Sequence, residues 1–125
     1  MEKIILTDVD GVLLNWNRGF EEFASSKGFS VVNKNSYYLD ERFAIDRNTA
    51  ESLRNEFCNS SKLKTLEPIG DAPKYVKKLF KEFGYRLVCI TKIGRDKFIE
   101  DNRVNNLLGI YGMAISKLTC LDIKE

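Results

Sequence analysis

Asp8 and Asp10 stand one residue apart, directly after the short apolar run Ile4-Ile5-Leu6 and directly before Gly11. A buried carboxylate is costly unless a cation or hydrogen-bond donors compensate it, so two acids at one corner invite a metal ion. Taken alone, Asp-Val-Asp-Gly also suits a polar turn in which Asp and Gly serve the backbone geometry. A second stretch changes that balance. Leu87-Val88-Cys89-Ile90 ends in Thr91, followed by Lys92 and Gly94. A hydroxyl, an ammonium and glycine amides at a strand-to-helix corner make an anion site. Carboxylates at one corner and an anion site at the next suit Mg²⁺-assisted phosphoryl transfer, because Mg²⁺ prefers oxygen ligands and bridges protein carboxylates to substrate phosphates.

For the two corners to meet, the runs that precede them must be neighbouring parallel strands, since ligands in open α/β sheets sit beyond the carboxyl ends of strands. Between them the pattern is helical. Trp16, Phe20, Phe23 and Ala24 recur at helical spacing, with Asn15 or Asn17 as cap and Gly28 as terminator. Residues 29–47 are expected to be loop with short irregular pieces. A second helix is expected at about 48–58, with Ala50, Leu53 and Phe57 on one face, before a break at Asn59-Ser60-Ser61. Asp71, Pro73 and Gly84 frame a third helix striped by Tyr75, Val76, Leu79, Phe80 and Phe83. A fourth spans about 95–108, with Phe98, Val104, Leu107 and Leu108 inward and Gly109 at its end, and a last strand runs from Met113 to Leu121. Strands alternating with helices predict a parallel α/β sheet with right-handed crossovers. The stretch 15–65 is too long for a structureless loop, and its helical patterns predict a small lid over the strand ends.

Composition narrows the function classes. The 125 residues suffice for one domain with a modest core. Twenty basic and 18 acidic residues give a net charge of +2, which offers no electrostatic case for a nucleic-acid polymer or a membrane as partner. No apolar run approaches the roughly 20 residues that span a bilayer, and a cytoplasmic location is expected. There is no histidine, which excludes Ser-His-Asp and Cys-His catalysis and histidine-ligated metals. Cys58, Cys89 and Cys120 are too few and too scattered for a disulfide framework, and Cys89 and Cys120 read as small buried hydrophobes.

Asp8-Val9-Asp10-Gly11-Val12, placed after Ile4-Ile5-Leu6-Thr7, resembles motif I of the haloacid dehalogenase-like phosphohydrolases, and Leu87-Val88-Cys89-Ile90-Thr91 resembles their motif II. Leu66-Glu67-Pro68-Ile69-Gly70-Asp71-Ala72 and Asp10-Gly11-Val12-Leu13 resemble the 5′(3′)-deoxyribonucleotidase branch. The resemblance implies a Rossmann-like parallel sheet with crossover helices, formed by residues 1–14 and 66–125, and a helical cap inserted at 15–65. It implies a Mg²⁺-dependent phosphatase acting on a small phosphomonoester, with (deoxy)nucleotides among the candidates. Asp8 would be the nucleophile, forming an aspartyl-phosphate. Asp10 would be the general acid and base. Mg²⁺ would sit on Asp8 and on the backbone carbonyl of Asp10. Gly11, Thr91 and Lys92 would hold the phosphate. Trp16, Phe20, Tyr37, Tyr38 and Phe43 could stack on a base, although Trp16 and Phe20 share the helix stripe and suit a core.

The chain also departs from the family. Motif III requires a Lys or Arg; Lys124 is the candidate because it follows the last strand, with Lys92 and Lys117 behind it. The acidic motif IV is missing, and with it the strand expected on the free side of the first strand. Ile4–Leu6 would then be an apolar edge, to be covered by a missing C-terminal segment or a partner. A non-catalytic domain of this type, binding phosphate or a protein partner, is the alternative. A signalling receiver domain is disfavoured, because Glu56–Ser61 is neither strand-like nor acidic at its end.

Overall fold

In a computed structural model that describes residues 3–92 and 96–121, three parallel strands carry the fold: β1 (Lys3–Asp8), β2 (Tyr85–Thr91) and β3 (Ile115–Cys120), in the order β1-β2-β3. Leu6 pairs with Val88 and Asp8 with Ile90, so the ends of β1 and β2 lie side by side. Helix α4 (Ala72–Phe83) leads into β2, and α5 (Lys97–Tyr111) connects β2 to β3. Both crossovers step the same way across the sheet, so right-handed connections bring both helices to one face. There α4 packs on β2 and α5 on β3. Leu87, Cys89 and Thr91 on that face are buried. The other face carries Ile4, Leu6, Val88 and Ile90, of which Leu6 is 67% exposed. The expected apolar edge at β1 is therefore present among the described residues.

Between β1 and α4 the chain forms α1 (Trp16–Ser26), α2 (Leu39–Phe43), α3 (Arg47–Cys58) and a 3-10 turn at Ser61–Thr65. Their packing is aromatic. Trp16 stacks on Phe20 at 4.9 Å, while Phe57 of α3 meets both rings edge-on at 5.5 and 5.6 Å. A Cβ on Gly19 would stand 2.4 Å from Leu66 and 3.3 Å from Phe57, so glycine permits α1 to approach this closely. The expected helix at 48–58 forms, one residue longer, with Asp46 as cap. Residues 29–47 are more ordered than expected. Arg42 of α2 bonds Glu21 of α1 and the carbonyl of Lys34, and these long-range polar links leave no periodic signature in sequence. Residues 56–61 end a helix and start a 3-10 turn; no strand forms there.

Helix α5 corrects the reading most. It runs to Tyr111, with Gly109 inside it and Gly112 after it, and Phe98 and Leu108 are exposed. The inward positions are Ile99, Asn102, Arg103, Asn106, Leu107 and Tyr111. Apolar periodicity finds Leu107 and half-buried Val104 but misplaces Phe98 and Leu108, because the buried stripe is half polar. Among the described residues no helix is long and apolar enough to cross a membrane.

The open apolar face yields a first prediction. Leu6→Lys should change the unfolding free energy by less than about 0.5 kcal/mol and should lower concentration-dependent association in sedimentation velocity. A loss of several kcal/mol would show that Leu6 is packed.

Candidate active site

Three buried side chains hold the first corner in place. Val9, Leu13 and Leu14 are 1%, 3% and 0% exposed, and the Val9 carbonyl accepts from the amides of Val12, Leu13 and Leu14 at 3.3, 2.9 and 3.0 Å. This single turn sits inside the core while Asp8 and Asp10 face outward. Gly11 adopts φ +79°, a left-handed conformation that suits glycine, and its amide bonds the Leu14 carbonyl at 2.9 Å. The chain then pairs antiparallel with the segment entering α4: Asn15 N–H to Glu67 O at 2.7 Å and Ile69 N–H to Leu13 O at 3.3 Å. Asn15 also caps α1 through Arg18 N–H, as one of the two expected caps.

The second corner is joined to the first by a residue the sequence reading missed. Arg103 of α5 has no exposed side-chain surface, and its Nη2 donates to Asp10 Oδ1 at 2.5 Å and to Thr91 Oγ1 at 3.4 Å. Its Nε and Nη1 are buried without a hydrogen-bond partner among the described residues. One guanidinium thus touches the acid of the first corner and the hydroxyl of the second, with donors to spare. The available signal was its place on α5, four residues after inward Ile99 and four before inward Leu107. A charge in such a stripe must be paired. Asp96 caps this helix through Phe98 and Ile99 amides. Asn106 accepts from Leu66 N–H at 3.2 Å and donates to its carbonyl at 3.0 Å, and the Tyr111 hydroxyl donates to Leu13 O at 2.5 Å.

Of the expected motif III lysines, Lys92 lies at the end of β2 beside the site, whereas Lys117 is exposed within β3 on the open face, away from it. Lys124, Gly94 and Asp122 lie outside the described residues.

A cavity of about 710 Å³ opens between the strand ends and the helical segment. Asp8, Asp10, Gly11, Thr91 and Lys92 line one side; Trp16, Arg47 and Arg54 from helices and Tyr37 and Tyr38 from the loop before α2 are among those on the other. Phe20 and Phe43 belong to the core at 1% and 4% exposure. Trp16 serves both packing and cavity, and Tyr37 and Tyr38 are exposed at the cavity.

The Asp8 carboxylate and the Asp10 carbonyl are hard oxygen donors of the kind Mg²⁺ takes, and an ion that retains several waters needs few protein ligands. Among the described residues no group of three His, Cys, Asp or Glu side chains adds to them. Cysteine and tyrosine are poor alternatives for the chemistry. Burial pushes the Cys89 and Cys120 thiols up to about 11 and the Tyr111 phenol up to about 12. Burial also raises Cys58, against the opposing pull of Arg54 and Arg103. Of the cavity's carboxylates, Asp8 and Asp10 come from the strand end, and Asp40 and Glu51 from the helical segment.

Two outcomes are expected. Asp10→Ala leaves the Arg103 charge buried and unpaired and should destabilise the fold by about 3 kcal/mol, while Arg103→Met, which removes that charge, should cost clearly less in urea unfolding. The native thiols should resist iodoacetamide at pH 8 until the chain unfolds. From their ordinary 9.0 up to about 11, the unfolded chain releases the Cys89 and Cys120 protons while the native chain keeps them. Stability is therefore complete below pH 9 and should fall across that window in pH-dependent denaturation.

No protein-family model matches the chain. It is similar to an uncharacterized 32.4 kDa protein in the Gp30-rIII intergenic region of Enterobacteria phage T4, 28% identical over 125 residues, covering 94% of this chain and 44% of the phage protein. The chain thus spans less than half the length of that relative.

Proposed function

We propose that this chain carries the site of a Mg²⁺-dependent phosphohydrolase for a small phosphomonoester, on a Rossmann-like sheet of the haloacid dehalogenase-like type with residues 15–65 as its cap. The observation that supports this most is the buried Arg103 in contact with both Asp10 and Thr91. Arg103 takes the role that the sequence reading sought in Lys124.

The substrate phosphoryl group lies between Asp8, Thr91 and Lys92, and Arg103, buried behind them, holds Asp10 and Thr91 in position. The Asp8 carboxylate and the Asp10 backbone carbonyl would hold Mg²⁺, which would supply neutralisation of negative charge. The Asp8 carboxylate attacks phosphorus, the ester oxygen departs with a proton from Asp10, and an aspartyl-phosphate remains on Asp8. Asp10 then takes a proton from water, the resulting hydroxide attacks phosphorus, and phosphate leaves with Asp8 restored. The helical segment excludes bulk water from the intermediate.

Phosphate release from a panel of phosphomonoesters should require Mg²⁺ and stop with EDTA. Asp8→Asn should reduce it by about a thousandfold or more, and activity unaffected by that change would sink the assignment. The lack of a third acidic ligand among the described residues favours one second reading, a domain that binds phosphate without turnover. That reading predicts saturable orthovanadate binding with no phosphate release from any ester.

A further inference from the structure

Helix α3 presents two stripes. Leu53 and Phe57 turn into the core, while Arg47, Glu51, Arg54 and Cys58, spaced by three to four residues, line the cavity. The arginines differ in what they touch. Arg18 meets Glu22 and Glu67, Arg42 meets Glu21, and Arg103 meets Asp10. Arg86 bonds the carbonyls of Met113 and Ile115. Arg47, at the outer end of the cavity stripe, is held by Glu51 at 3.3 Å. Arg54 alone among the described arginines has no ion pair or hydrogen bond, although it is half-buried and lines the cavity. A guanidinium that has given up part of its water without a protein partner is set up for an anionic ligand, which its planar fork binds in bidentate fashion.

That ligand group is distinct from the transferred phosphoryl. The strand-end corner already supplies Thr91 and Lys92 to a phosphoryl group, and Arg54 enters from the helical wall instead. We propose that the substrate bears a second anionic group, carboxylate or phosphate, remote from the phosphoryl that is removed, and that Arg54 selects it. This rests on the phosphohydrolase reading above. The chain then discriminates against phosphomonoesters whose remainder is neutral.

The test is calorimetric binding to the Asp8→Asn protein with Mg²⁺, using three ligands of similar size. Glycerol 3-phosphate has a neutral remainder, 3-phosphoglycerate a carboxylate, and 1,3-propanediol bisphosphate a second phosphate. At least one doubly anionic ligand should bind about tenfold more tightly than glycerol 3-phosphate, and the better of the two identifies the group. In Asp8→Asn/Arg54→Gln that preference ratio should collapse toward one, and Arg54→Lys should restore part of it. Three results overturn the proposal: no preference in the Asp8→Asn protein, no binding of either doubly anionic ligand, or an equal weakening of all three ligands by Arg54→Gln. Phosphate release from the better-bound doubly anionic ligand by the unmodified chain reports separately on the parent reading. If that fails while the preference stands, hydrolysis falls and the second anion site remains.

Discussion

A guanidinium with no exposed side-chain surface sets the terms for this structure. Arg103 needs an anion, and Asp10, about one-third exposed, supplies it at 2.5 Å. The pair fixes which turn of α5 lies beneath the strand ends and how the first loop folds over them. It also brings Thr91 of β2 into the same contact. The attraction of the partly exposed Asp10 carboxylate barely offsets the hydration that the buried guanidinium loses, so the pair is better understood as specifying geometry than as adding stability. The stability comes from the apolar residues around it: Val9, Leu13 and Leu14 below the loop, with Leu107 on α5.

The helical segment follows a complementary logic. Its aromatic cluster, centred on Phe20 and Phe57, fixes α1 against α3 without any polar requirement. That leaves the opposite stripe of α3 free to carry charge toward the cavity. Packing and recognition are thus divided between two faces of one helix, and a change on one stripe need not disturb the other.

Much of this was legible in the sequence. The strand ends at Asp8 and Thr91 were marked by short apolar runs stopping at polar residues. Helices α1, α3 and α4 were marked by caps and apolar stripes that the structure bears out at Asn15, Leu53, Phe57, Pro73 and Gly84. What stayed hidden depends on long-range polar contacts. The inner face of α5 was misread because it buries Asn102, Arg103 and Asn106, and the partners of Asn106 and Arg103 lie 40 and 93 residues away in sequence. The order of residues 29–47 was hidden for the same reason, since it depends on Arg42 reaching Glu21. For Lys117, the strand was anticipated but not which face of the sheet the side chain occupies.

The bonds of Asn106 and Tyr111 carry a mechanical consequence. The chain enters the helical segment past Leu13 and leaves it past Leu66, and both points are fastened to α5. A flap tethered at both roots to one rigid rod cannot swing about either root independently. Two tethers leave a single hinge axis, the line through Leu13 and Leu66, and α5 is the post that carries it. The helix that holds Arg103 against Asp10 is therefore also the bearing for the segment above the cavity.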